Sequence, residues 1–477
     1  STAAAGEPAA KGRAQQRRID ATAAAAAVEQ AVEPTAKPKK KKQRVLVNLT
    51  MCKYPVVQRV IDRLGWRNTT DEMNWHLFWT DLSVADERVM KLQRGQKINH
   101  FPGMCQLRRK CKLAYNLNRM LRLCPEQYAR VFPETFVLPQ DVVAFTERLR
   151  RKPAASGPAK AKTFIVKPDD GACGEGIFLT RKASDVPANF PCVAQRYMAS
   201  PLLIDGLKFD LRIYVLVTSV TPLRLYLYRE GIARFATQPF EKLTGATLRK
   251  KYQHLTNFSV NRKNRDGYVP NKHGVADDAA AESSTASKRS LSYIRRWLSE
   301  NGHDEDVFWR RTCDVVRKVM IAALPQVAHV YQACLPEARD NVGFSCFDLM
   351  GLDILLDSKA RPVIIEVNEM PSFSTGAPID REVKEACIME ALEMVQTPSR
   401  ELAALKSYNA RETDAAQHRQ RLVEARLAHE QASAHNFERI YPLDEGHPDR
   451  EMYLGLEQMA AASFSRTVQG MAGKPAS

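Results

Sequence analysis

The stretch VIIEVNEMPSFS at residues 363–374 decides the fold of this chain, read with CFDLMGLDILLD at 346–357 just before it. Each carries an apolar strand, and the link between them, Ser358-Lys359-Ala360-Arg361, is short and polar. That spacing predicts an antiparallel hairpin. If Asp357 pairs with Pro362, counting back sets Asp353 opposite Glu366. Side chains alternate faces along a strand, so Glu366 and Asn368 point the same way, beside Asp353. Three oxygen donors then share one face of an otherwise apolar hairpin. Hard cations such as Mg²⁺ take carboxylate and amide oxygens, and keep water and phosphate oxygens too. The plainer reading is three polar residues on a solvated face, and the apolar neighbours on both strands speak against it.

The chain has 477 residues and is 44% hydrophobic, enough for two or three packed units around a sizeable core. It contains no apolar run of about 18 residues, so no transmembrane helix is expected. Residues 23–28 are too short and too weakly apolar for the core of a signal peptide. Ten cysteines without C-x-x-C pairs fit reduced thiols better than a disulfide framework or a zinc site. The net charge of +17 calls for an acidic partner. No nucleic-acid-binding motif is visible, so nucleic acid is not expected as that partner, nor is a membrane. An acidic protein fits the rest of the chain.

Residues 1–44 are rich in Ala, Lys and Arg and read as a disordered basic tail. A first unit is expected over 45–152. It holds a strand from 45, a helix at 56–64, an aromatic-rich strand at 73–80, a basic helical segment at 106–122 and a helix at 142–151. Residues 152–158 carry a Pro/Gly linker signal. The second unit, 163–395, opens on a strand at 163–168 and a glycine-rich loop, with long strands at 211–218 and 223–229. A polar, mobile insertion is expected at 271–286, then helices at 290–300 and 305–331, the hairpin, and a helix at 382–394. Residues 400–440 read as a long charged helix with seven Lys/Arg and six Asp/Glu over 400–439, and 441–477 as a poorly ordered tail.

Chemistry concentrates in a few places. The loop from Gly171 through Gly174 and Glu175 to Gly176 lies between two strands, where backbone N–H groups can approach phosphate. It is not a Walker A loop, since no G-x-x-x-x-G-K-[ST] occurs, nor a dinucleotide fingerprint, since a strand follows it. An ordinary hairpin turn is the alternative. Lys167, ending the strand before the loop, favours phosphate. Residues 193–198 read as a strand running into a loop. Lys208, Asp210 and Arg212 share one strand face whose continuation is buried, so they must pair together or bind something. Arg234 and the cluster His254-Leu255-Thr256-Asn257-Phe258-Ser259 add polar groups that a satisfied loop network would also explain.

Lys-Pro with the loop GACGEGI, then PLLIDGLKFDLRIYVLVTS, EGIARFAT, HLTNFSVNRKN and EVNEMPSF resemble, in order and spacing, the tubulin tyrosine ligase-like family of amino acid ligases. The resemblance covers about 45–395 and points within the family to the polyglutamylase branch. It implies an ATP-grasp fold of mixed and antiparallel sheets with flanking helices, in an N-terminal α/β domain followed by central and C-terminal ATP-grasp parts. It implies that Lys167 and the loop Gly171, Gly174, Glu175, Gly176 cover ATP phosphates and that Gln195, Arg196, Tyr197 and Met198 hold adenine. Lys208, Phe209, Asp210, Thr256 and Asn257 complete the ATP site. Asp353, Glu366 and Asn368 hold Mg²⁺. Lys167 and Arg212 carry the chemistry, with Arg212 facing the reacting carboxyl. Arg234, Ser259, Lys288 and Lys384 hold free L-glutamate. The implied activity is ATP-dependent addition of glutamate to glutamate side chains in the acidic C-terminal tails of tubulin, through an acyl phosphate. A monomer working in the cytoplasm on the cytoskeleton is implied, with the cilium or flagellar axoneme and the basal body as further places. Glycylation, tyrosination or an inactive microtubule-binding adaptor are the alternatives. Two departures stand out. Glu175 occupies a position where glutamylases usually carry a basic residue, and Glu369-Met370 replaces the more usual His-Ser.

Overall fold

The computed structural model describes residues 45–83, 86–151, 162–171, 173–275, 285–335, 344–398, 403–405, 407–408 and 413–472. The basic tail 1–44, the linker signal at 152–158 and most of the 271–286 insertion therefore lie outside the described residues. The described part is mixed α/β and carries three sheets. The first is parallel, in the order β2-β1-β3-β4. Its strands are β1 (Leu46–Met51), β2 (Arg67–Thr69), β3 (Leu77–Thr80) and β4 (Lys97–Ile98). Parallel neighbours need a crossover, and the helix Pro55–Arg63 supplies one by burying Val56, Val57, Val60 and Ile61.

The second sheet is small and antiparallel, in the order β5-β8-β6-β7. It is built from β5 (Thr135–Leu138), β6 (Phe164–Pro168), β7 (Phe178–Thr180) and β8 (Cys192–Arg196). Phe145 on the helix Val142–Arg150 packs edge-on against Phe164 with ring centroids 5.2 Å apart. The division placed at 152 from the sequence therefore falls inside this sheet. Composition marks a chain segment rich in Pro and Gly, but strand pairing ignores it.

The third sheet has seven strands, with path β12-β11-β10-β13-β14 and two short additions. These are β9 (Leu203–Ile204), β10 (Leu207–Val220), β11 (Leu223–Phe235), β12 (Lys288–Ser290), β13 (Asp348–Leu356), β14 (Pro362–Asn368) and β15 (Phe437–Tyr441). Period-two alternation divides β10 between two cores. Leu211, Ile213, Val215 and Val217 join a cluster with the long helix Glu305–Cys334. Tyr214 and Leu216 join another with the helix Pro378–Val395 and the first sheet. Towards the start of β10, the second face carries Lys208, Asp210 and Arg212 in place of apolar residues.

The hairpin forms with Asp353 opposite Glu366 and Gly351 opposite Asn368. Its closing end differs from the count. Leu356, not Asp357, pairs with Pro362, and the register shifts between Asp353 and Ile354. One extra residue on β14, a β-bulge, restores the expected pairing where the carboxylates sit.

The C-terminal part departs from the sequence expectation. Of the long helix expected over 400–440, a helix is described at Ala415–Ala432, followed by β15 rather than more helix. The switch follows from tertiary contacts. His435 takes a positive φ of 47°, and β15 pairs with β11 from Leu225 to Tyr228. Glu430 is buried and accepts from Arg224, Arg426 and Tyr226, which ties the helix to the sheet. The tail expected to be poorly ordered holds the helix Arg450–Ala472, whose Tyr453, Leu456 and Ala460 are buried in the main core. Its many alanines and its serines hid that stripe.

Candidate active site

Cross-strand pairing lines up one polar row across the central sheet. Lys288 on β12 lies opposite Arg234 on β11, and Arg234 opposite Asp210 on β10. One pleat along, Arg212 lies opposite Asp353, and Asp353 opposite Glu366. The row is nearly dry, so its charges pair. Arg212 donates Nε to Asp353 Oδ1 at 2.6 Å and Nη2 to Oδ2 at 3.1 Å. Arg234 grips Asp210 in the same two-pronged way, at 2.8 and 2.5 Å, and reaches Asp353 Oδ2 at 2.8 Å. Thr256 Oγ1 donates to Asp210 at 2.8 Å. Burial works to raise the Asp353 carboxyl, but Arg212 and Arg234 outweigh it and hold it well below the usual carboxylate range.

A cleft opens between this row and the small sheet. Apolar side chains such as Ile165, Ile177 and Leu355 form its walls. Of the residues expected to bind a nucleotide, Lys167, Gln195 through Met198, Lys208, Asp210, Thr256 and Asn257 line it, together with Asp353 and Glu366. Lys167 donates to Gln195 Oε1 at 2.9 Å and Lys208 to the His254 carbonyl at 2.8 Å. Burial pushes the Lys167 ammonium down to about 8 and that of Lys208 to about 7, with Glu366 and Asp210 respectively pulling the other way.

Other expected residues sit beside the cleft. Phe209, expected in the ATP site, instead has its ring in the core, stacked on Phe235 with centroids 5.1 Å apart. Alternation along β10 sends it to the face opposite Lys208 and Asp210. The loop at Gly171 adjoins the cleft. Gly174 has φ +81°, and a Cβ there would stand 2.8 Å from Val260 Cγ2, so glycine is required on both counts. Glu175 and Gly176 are exposed on the same turn. Ser259 Oγ donates to the Cys173 carbonyl at 2.9 Å and so ties this loop down. Lys288 and Lys384 both bond Asp380. Arg234 is engaged by two carboxylates rather than standing free for a ligand.

Asp353, Glu366 and Asn368 fit a hard divalent cation. They supply oxygen donors from facing and alternate strand positions, and Glu366 keeps 24% of its side chain exposed.

Lys110 also reaches the site. Its Nζ donates to the Gly171 carbonyl at 2.7 Å and lies 3.3 Å from Glu366 Oε1. It belongs to the basic run Arg108-Arg109-Lys110-Cys111-Lys112, and nothing in that run tells which cation turns inward. Within the polar cluster at 254–259, His254 Nδ1 lies 2.9 Å from Tyr197 Oη and so braces the cleft wall. On the opposite face of the hairpin, His100, Asp348 and Glu369 form a second buried polar group, their ligating atoms within 4.8 Å. His100 Nδ1 lies 2.7 Å from Asp348 Oδ1 and Nε2 lies 2.9 Å from the Thr80 carbonyl, while Phe101 N–H donates to Asp348. Both ring nitrogens are thus used, and the group pins the edge of the first sheet to β13. Burial and Asp348 push Glu369 up to about 7.

The profile described as "Tubulin-tyrosine ligase family" matches residues 88–403. The chain is similar to mouse tubulin polyglutamylase TTLL13, 42% identical over 357 residues, which covers 75% of this chain and 42% of the relative. It is similar to zebrafish (Danio rerio) tubulin polyglutamylase ttll6, 37% identical over 444 residues, 90% of this chain and 54% of the relative. A probable beta-tubulin polyglutamylase of Tetrahymena thermophila is 39% identical over 358 residues, 74% of this chain and 29% of that protein. The chain thus spans about half or less of the length of these relatives.

Proposed function

The chain belongs to the tubulin-tyrosine ligase family, and we propose that it is a tubulin polyglutamylase: an ATP-grasp ligase that joins free glutamate to glutamate side chains in acidic tubulin tails. The observation that carries the reading is the convergence in one cleft of Lys167 and Lys208 from two sheets with Asp353 and Glu366 on the hairpin. Phosphates need buried cations, and a nucleoside needs apolar walls with a polar edge. In this reading Gln195 to Met198 hold the base between Ile165, Ile177 and Leu355, and Lys208 and Asp210 fix the sugar and phosphate end. Lys167, with the loop at Gly171 to Gly176 and Lys110, faces the terminal phosphates.

Asp353, Glu366 and Asn368 would hold Mg²⁺, which when bound supplies neutralisation of phosphoryl charge. The acceptor's glutamate carboxylate attacks the γ-phosphorus and ADP departs, leaving an acyl phosphate. The α-amine of free glutamate then attacks the acyl carbon, an amide bond forms, and inorganic phosphate leaves. Arg212, held in place by Asp353, is the cation for the reacting carboxyl oxygen. Lys288 and Lys384 face the side-chain carboxylate of the incoming glutamate. Arg234 contributes by orienting Asp210 and Asp353. The +17 charge favours acidic tails as acceptor and gives binding that weakens with salt. Such a protein would act in the cytoplasm on microtubules, those of cilia and flagella included.

The test is ligation of labelled glutamate, glycine and tyrosine, side by side, on intact microtubules and on microtubules stripped of their tails. Glutamate alone should be incorporated, and only into intact microtubules. Incorporation of glycine or tyrosine in its place overturns the polyglutamylase reading, and ATP binding without any incorporation points to an adaptor.

A further inference from the structure

Two ammonium groups buried side by side repel each other, and the fold answers with one carboxylate. Asp380, in the first turn of the helix Pro378–Val395, takes Lys288 Nζ on one oxygen at 2.5 Å and Lys384 Nζ on the other at 2.8 Å. Side-chain exposure is 8% for each lysine and 3% for Asp380. The helix N-terminus adds partial positive charge that favours the carboxylate there. Lys384 also donates to the Ser374 carbonyl at 2.7 Å, and Lys288 lies over the Phe258 ring, 4.0 Å from its centroid. Each ammonium has three donors, and these contacts leave at least one on each.

We propose that Asp380 is a positioning residue for the incoming amino acid: it holds Lys288 and Lys384 as a fork with one net positive charge, matched to a single side-chain carboxylate. The inference rests on the ligase reading above. Counting charge supports the match. Two ammonium groups and one carboxylate leave +1. The neighbouring arginines add nothing to that, because Arg212 and Arg234 are balanced by Asp353 and Asp210. A glutamate side chain neutralises the remaining charge, whereas glycine or tyrosine leaves it buried and unmatched.

The groups facing Lys384 set how the fork titrates. Burial pushes Lys384 down to about 8, Asp380 pulls it up, and the positive Lys288 and Arg212 push it down. The phenols of Tyr214 and Tyr268, which face Asp380, are raised by burial and stay neutral. Removing the Asp380 charge therefore lets Lys384 deprotonate at lower pH, while removing Lys288 does the reverse.

The experiment is steady-state kinetics on microtubules for the parent chain, Asp380→Asn, Asp380→Glu and Lys288→Gln, across pH. For Asp380→Asn at pH about 8, KM for glutamate should rise about tenfold or more, while KM for ATP stays within about twofold. The alkaline limb of kcat/KM for glutamate should move down by about one pH unit, a shift that a loss of folded protein cannot produce. Asp380→Glu should recover most of the loss. Lys288→Gln should raise KM for glutamate yet move the alkaline limb upward, which keeps the proposal testable if Asp380→Asn folds poorly. A glutamate KM unchanged in Asp380→Asn, or alkaline limbs unmoved in both variants, overturns the proposal. A parent chain that ligates no glutamate overturns the ligase reading itself.

Discussion

Glu366→Gln separates the two carboxylates that the hairpin sets opposite each other. Asp353 is 3% exposed and both its oxygens are taken by arginines, so it serves the fold as well as the site. Glu366 is 24% exposed and, among the described residues, pairs with Lys110 at 3.3 Å. Lys110 is only 8% exposed, so the pair is worth more than the about 0–1 kcal/mol of a surface pair, but Lys110 keeps its bond to the Gly171 carbonyl when the charge is removed. Breaking a buried pair such as Asp353 with its arginines costs about 3–5 kcal/mol. Glu366→Gln should therefore lower the thermal midpoint less than Asp353→Asn, which leaves two buried arginines without their shared carboxylate charge. On the proposed metal assignment, activity should fall in both, by about 10²-fold or more, since each would remove an anionic oxygen from the site of phosphoryl charge. Thermal unfolding is measured beside ATP-dependent ligation at rising Mg²⁺. Turnover retained by Glu366→Gln at saturating Mg-ATP would refute the metal assignment. Equal destabilisation by the two variants would refute the division of roles.

Further outcomes follow from other contacts. Arg234→Ala releases both Asp210 and Asp353, so KM for ATP and for glutamate should rise together, and a change confined to glutamate would show that Arg234 reads the amino acid directly. Lys167 and Lys208 are depressed to about 8 and about 7 by burial, and phosphate anions raise such values on binding. ATP binding between pH 7 and 8 should take up protons, seen as a calorimetric heat that changes with the buffer's ionisation enthalpy; identical heats in two buffers would contradict it. Glu430→Ala removes the buried carboxylate shared by Arg224 and Arg426, which should cost about 3–5 kcal/mol, and an unchanged denaturant midpoint would show that the helix Ala415–Ala432 is not part of the folded core.

How much was legible in advance follows from the range of each interaction. The facing of Asp353 and Glu366 was readable because a four-residue link and strict alternation fix local register. Even there the agreement needed a bulge that no local rule foretold. The face shared by Lys208, Asp210 and Arg212 was readable for the same reason, and the alternation that grouped them also excludes Phe209 from that face. What the charges would pair with was not readable, since Arg234 reaches Asp353 across 119 positions of sequence, from 234 to 353. Lys110 was hidden among like charges. β15 and the helix Arg450–Ala472 escape a local reading because their apolar residues gain meaning only against β11 and the helix Glu305–Cys334.

The central claim, that this cleft ligates glutamate to tubulin tails at the expense of ATP, is tested most directly by intact mass. Purified microtubules are incubated with the chain, Mg-ATP and glutamate, and the tubulin tails are weighed before and after. The account predicts a ladder of increments, each equal to one glutamyl residue, that requires ATP and disappears with Glu366→Gln. Tails of unchanged mass while ATP is bound, or increments matching another amino acid, would contradict it.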